Sequence, residues 1–163
     1  MPKKQTIERV RRDKREGKSA STQAGEFVRE EIEEIRAGKH GARSTKQAIA
    51  IGLSKARRAG VKLAPPKPGK TSEATRRKAQ RDLEKADSGK KPSAKRSRAT
   101  LKALQRESAA AASPEALSRQ TRTAARKRSA AERSVSAEES RSNAQRREVN
   151  AEGPQQSSQN ISR

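Results

Sequence analysis

Two apolar runs at helical spacing, separated by only six residues, constrain this chain more than any other feature. In TQAGEFVREEIEEIRAGKHG, Ala24, Phe27, Val28, Ile32 and Ile35 share one helix face. In STKQAIAIGLSKARRAG, Ala48, Ile49, Ile51, Gly52, Leu53, Ala56 and Ala59 make one broad stripe. Thr22 reads as the first N-cap, and Gly38 stands where a terminating glycine belongs. Ser44 and Gln47 have capping-box spacing. Gly60 closes the second run, and Pro65, Pro66 and Pro68 prevent its return. The spacing predicts helices at 22–37 and 45–59. A connection as short as Gly38 to Arg43 favours a helical hairpin. Ala48, Gly52 and Ala56, at spacing four, would let the two backbones approach. The expected hairpin core is Phe27, Val28, Ile32, Ile35, Ile49, Ile51 and Leu53.

Little else in the chain builds a core. Leu, Ile, Val and Phe account for 18 of 163 residues, and nine of those 18 lie in 22–63. Fixing a residue costs roughly 1–2 kcal/mol of backbone entropy, and Ala, with 27 copies, buries too little surface to offset that. Few large apolar residues with high net charge is the signature of disorder. The expected fold class is therefore all-α: a short helical hairpin, additional marginal helices and long disordered basic arms. In these terms 1–20 is a basic N-terminal arm, 21–63 the hairpin and 64–71 a Pro/Lys linker. Residues 72–135 form a basic, Ala/Arg/Lys-rich, partly helical region, and 136–163 a disordered tail. Two helices alone rarely hold, so the hairpin needs a partner. A second copy would make a homodimer; helix 72–87, folding back through Leu83, would serve instead.

Charge points to the class of partner. The chain carries 41 Lys+Arg against 19 Asp+Glu, a formal charge of +22 and a pI near 11.4. A charge of magnitude roughly 2–8 is enough to keep a small domain soluble; this excess is the electrostatic footprint of a polyanion binder. From Gly38 to Ser72 there are nine basic residues and no acidic one. The expected nucleic-acid contacts are Lys39, Arg43, Lys46, Lys55, Arg57, Arg58 and Lys62, with Lys95, Arg96, Arg98, Arg126, Lys127 and Arg128 from the arms. Trp and Tyr are absent, and Phe27 belongs to the apolar stripe. Base-stacking modules for single strands and RNA therefore lack their aromatics. Sequence-independent duplex binding through phosphate contacts fits what remains.

Other classes find little support. Without Cys, thiolate chemistry, disulfides and Cys-ligated zinc are excluded. No apolar run is long enough to span a membrane, and MPKKQTIERVRRDKREGK lacks the apolar stretch of a secretory signal. A cytoplasmic location at the nucleoid is expected. His40, the only histidine, sits in a Gly-flanked turn and reads as a turn residue or phosphate contact. Glu30, Glu31, Glu33 and Glu34 read as a solvated helix face and not as a metal site. No catalytic residue, cofactor or metal is expected, so the chain does not read as an enzyme.

The run KQAIAIGLSKARRAG, residues 46–60, resembles the motif KQAIAI(A/G)LSxAR(K/R)AG of a family of small basic uncharacterised bacterial proteins, often labelled DNA-binding. Gly52 stands at the Ala/Gly position and Lys55 at the variable one. The resemblance implies a bacterial, nucleoid-type role. The expectation from charge and resemblance together is a histone-like, nucleoid-associated protein binding duplex DNA with little sequence specificity. The alternatives are an RNA- or ribosome-associated basic protein, or an interaction adaptor that docks a basic partner on the acidic helix 22–37.

Overall fold

Glycines set the ends of the first three helices. In the computed structural model, which describes residues 2–88 and 93–151, α1 spans Lys4–Arg15, α2 Ala20–Arg36 and α3 Thr45–Arg58. After α2, Gly38 takes a φ of 71°. Its N–H donates to the Ile35 carbonyl at 3.0 Å, and the Lys39 N–H donates to that of Glu34 at 3.1 Å. This is the Schellman arrangement, which satisfies two end carbonyls and needs a left-handed residue. Gly17 and Gly60 repeat it after α1 and α3.

The helix starts differ in part from expectation. Ser44 caps α3, accepting from the Gln47 N–H at 3.2 Å, while Gln47 Oε1 accepts from the Arg43 N–H at 2.9 Å. In α2 the cap is Ser19, not Thr22: Ser19 Oγ accepts from the Thr22 N–H at 3.2 Å. Thr22 occupies the third helical position and contributes its own N–H, so the helix begins before the expected residue.

Small residues carry the α2–α3 contact. A Cβ on Gly52 would stand 2.6 Å from Val28 Cα, so only glycine allows this approach. One apolar cluster joins Ile32, Ile35, Ala42 and Ala48; another joins Ala24, Phe27, Ala56 and Val61. Phe27, Ile32 and Ile35 are buried as expected, and Val28 and Leu53 pack against these clusters. Ile49 and Ile51 are only half-buried and join neither cluster. The buried stripe of α3 is Thr45, Ala48, Gly52 and Ala56, joined by Arg57. Close backbone approach leaves no room for larger side chains on that line, which moves the isoleucines to its flanks.

Further chain covers the pair. Residues 1–20, expected as an arm, contain α1, whose Ile7 and Val10 pack on the Phe27 cluster. Docking on an existing surface offsets the nucleation cost that makes such a helix marginal alone. Next comes α4, Glu73–Asp87, packed on α3 through buried Ala79 and Asp82, with Leu83 only half-buried. Helix α5 spans Ala94–Leu104 and buries no residue. A 3₁₀ turn at Ala109–Ala112 then lays Ala111 and Ala112 into the Ile35 cluster, joined by Leu117. Its approach crosses Gly41, whose N–H donates to the Leu104 carbonyl at 2.9 Å. A Cβ on Gly41 would collide with the Glu107 carbonyl. Segment 105–117, with no run of large apolar residues, thus contributes to the core through alanines and main-chain bonds.

The chain forms two compact units, Met1–Arg122 and Thr123–Arg163. Helix α6, Pro114–Arg126, starts on Ser113, which accepts from the Ala116 N–H at 3.2 Å with Pro114 at the first helical position. Helix α7, Ala130–Ala151, is capped by Ser129 and reaches into the expected tail, with Val135 and Val149 exposed. The architecture is all-α, with no strand among the described residues. Where long disordered arms are expected, the described residues are mostly helical. Residues 89–92 of the basic region and 152–163 of the tail lie outside the described residues.

Candidate nucleic-acid interface and a buried carboxylate cluster

The fold sorts charge by depth. Of the eight acidic residues in 2–68, only Glu8 and Glu33 are exposed; of the eighteen Lys and Arg there, thirteen are. The acids turn inward onto basic partners. Asp13 and Lys18 form a buried pair at 2.7 Å after α1. Hydrogen bonds to Asp13 and Glu16 raise the Lys18 pKa above its ordinary value. Glu26 holds Arg9 at 2.6 Å. In α4, buried Asp82 accepts from Ser54 Oγ at 2.7 Å and from Arg58 Nε at 2.8 Å.

The largest cluster lies between α2 and α3. Glu30 and Glu31 are fully buried, which corrects the reading of residues 30, 31, 33 and 34 as a solvated face. On that face only Glu33 is exposed, and it pairs with Arg29 at 3.0 Å. Lys55 of α3 reaches across to Glu31 Oε2 at 2.6 Å, Glu34 Oε2 at 2.9 Å and Glu30 Oε1 at 3.9 Å. The contact with Glu31 is an ion pair without hydrogen-bond alignment, whereas Glu34 accepts a directed bond. Glu30 Oε2 accepts from the Lys3 N–H at 3.1 Å. Burial disfavours the Lys55 ammonium, but Glu31 and Glu34 outweigh it and raise its pKa. Burial likewise pushes Glu34 up, and the hydrogen bond and charge of Lys55 bring it below the usual carboxylate range.

His40 completes this cluster from the α2–α3 connection. Its Nε2 stands 3.5 Å from Glu31 Oε1 and 4.0 Å from Glu34 Oε2, and its Nδ1 stands 3.2 Å from the Gly41 carbonyl. With a side chain only 8% exposed, it faces carboxylates; this corrects its reading as a phosphate contact.

The expected nucleic-acid residues divide accordingly. Lys39, Arg43, Lys46 and Lys62 are exposed around the α2–α3 connection and the ends of α3. Lys39 lies 3.9 Å from Glu34 and Arg43 3.8 Å from Glu107, both long contacts. Lys55 is turned inward onto the carboxylates and is not presented to a ligand. Arg57 is also buried, its guanidinium donating to the Leu63 and Ala64 carbonyls at 3.1 and 3.4 Å. Desolvation lowers its pKa, with Asp82 acting in opposition. The chain turns back over Arg57 after Gly60, and Pro65 and Pro66 follow the two acceptor carbonyls. Arg58 is held by Asp82. Lys95, Arg96 and Arg98 are exposed on α5. Arg126, Lys127 and Arg128, in the second unit, are exposed as well.

A signal for the missed cluster was present. Positions 24, 27, 31 and 35 form one helical line, so Glu31 stands among residues that must be buried. Lys55 edges the facing stripe and supplies the opposite charge.

No curated protein and no solved structure matches the chain. Residues 3–68, which take in α1, α2, α3 and the 46–60 motif, match a family of unknown function, DUF6496.

Proposed function

We propose that this protein binds duplex DNA through phosphate contacts with little sequence preference, as a nucleoid-associated, histone-like protein. The observation that carries this reading is the sorting of charge: acids face inward and bases outward through residues 2–68. The exterior is consequently more basic than composition alone requires, and α5 adds further exposed cations. Such a surface draws a polyphosphate by releasing its condensed counterions, a gain indifferent to base sequence. Phe27, the only residue among Phe, Tyr and Trp, is fully buried and offers no stacking platform.

Weighing against the adaptor reading, Glu30 and Glu31 are buried and Glu26 and Glu34 are engaged within the chain. A second copy is no longer needed to cover the helix pair, because α1, α4 and residues 109–117 do so. Hairpin self-association therefore has no part in the proposal.

Competition tests the reading against the RNA-associated alternative. Unlabelled duplexes of unrelated sequence should displace a labelled duplex equally, and better than structured RNA of equal length. Strong preference for one duplex sequence, or for the RNA, would overturn it.

A further inference from the structure

The cluster between α2 and α3 holds more negative charge than its one buried ammonium balances. Among the described residues, Glu30, Glu31 and Glu34 face the ammonium of Lys55, with exposed Lys39 3.9 Å from Glu34 and the charge of Lys3 also acting on Glu34. Burying a carboxylate oxygen that no donor satisfies is unfavourable. Glu30 Oε1 and Glu31 Oε1 are buried and accept no hydrogen bond from the protein.

His40 supplies an independent indication. The Gly41 carbonyl can only accept, so a hydrogen bond to it places a proton on Nδ1. In the neutral ring Nε2 then carries a lone pair, which faces Glu31 Oε1 at 3.5 Å. Two acceptors pointed at each other in a buried site repel unless a metal ion lies between them or Nε2 carries a proton. A ring whose far nitrogen donates to a backbone carbonyl is also the usual setting of a metal-bound histidine.

We propose that Glu31, Glu34 and His40 form a binding site for a divalent transition-metal ion of the zinc type, which ties α2 to the connection leading into α3. One donor atom from each residue can be chosen so that all three lie within 4.8 Å of one another. Tetrahedral zinc bonds nitrogen and carboxylate oxygen at about 2.0–2.2 Å, which sets ligand atoms about 3.3–3.6 Å apart; His40 Nε2 and Glu31 Oε1 stand at 3.5 Å, and Glu34 Oε2, 4.0 Å from Nε2, would close in on the ion. Two carboxylates and an imidazole suit zinc better than calcium or magnesium, which take oxygen donors. A divalent ion would also bring positive charge to the buried Glu31 Oε1, while Lys55 keeps its place on Glu31 Oε2.

The test uses the untagged full chain. His40 is the only histidine and there is no cysteine, so the imidazole NMR signals report a single residue. Zinc titrated at constant neutral pH should move those signals to a second set, with Nε2 most affected, saturating at one ion per chain. The melting temperature should rise in parallel. Glu34→Gln should weaken zinc binding by at least about tenfold, a loss of the size seen even for second-shell changes, and His40→Gln should abolish the thermal shift. Ring signals that stay unmoved in excess zinc and answer only to pH would overturn the site; they would assign the Glu31 contact to a protonated imidazole. An equal thermal shift in His40→Gln would overturn it too.

Discussion

Residues 2–68 and helix α7 draw on much the same charged and small residues, and the structure uses them in opposite ways. In the first, alanines and a glycine bring backbones into contact, and carboxylates sink into the interior opposite lysines and arginines. Along α7 the valines stand exposed, and no buried residue appears among those whose side chains are described. The contrast shows that a chain poor in large apolar residues can still build an interior. It needs small residues in register on facing helices, and ionic groups placed where they meet. Helix propensity, which α7 has in plenty, does not supply either.

The sharpest way to break the comparison is to remove the buried cation. Lys55→Met removes the ammonium that Glu31 and Glu34 share and should destabilise the N-terminal unit by about 3–5 kcal/mol. Denaturant melts of the full chain, read by far-ultraviolet circular dichroism, would show it as an earlier transition. Glycine gives a matched pair with a smaller effect. Gly52→Ala sets a methyl against the Val28 backbone and should cost about 1–3 kcal/mol. Gly25→Ala, also within α2–α3 but with nothing inside 4 Å, should stabilise by about 0.5–1 kcal/mol. If both glycines respond alike, the close approach of α2 and α3 is wrong. At the small end, Val135→Ala on α7 should change stability by no more than about 0.5 kcal/mol. A larger loss would show that α7 buries what the structure leaves exposed.

Much of the first helix pair was legible in the sequence because its signals are local. Periodicity marked α2 and α3, Ser44 with Gln47 marked one start, and Gly38 and Gly60 marked two ends. Spacing alone also pointed to Gly52 as a place of close approach. What escaped depends on contacts far along the chain. Ala111 and Ala112 enter the core where Gly41 and Ala42 donate to the Leu104 and Ser108 carbonyls and where Thr45 and Arg36 donate to the Ala111 and Ala112 carbonyls, and an alanine run carries no mark of such docking. Burial of Arg57 requires the chain to return after Gly60, bringing two carbonyls onto it. Isolated carboxylates avoid burial, so Glu30 and Glu31 read as solvent-facing, and Lys55 removes that objection only once α2 and α3 are packed. Of the expected site, the exposed residues Lys39, Arg43, Lys46 and Lys62 were readable from charge; the inward turn of Lys55 and Arg57 was not.

The measurement that bears most directly on the central claim is the salt dependence of binding to random-sequence duplex DNA. An outward-facing basic surface making 6–10 phosphate contacts should lose affinity by on the order of 10³–10⁵ between about 50 and 200 mM salt, with the same slope for unrelated sequences. A shallow slope with weak binding throughout would contradict the account: the exposed cations would then serve some partner other than a phosphate backbone.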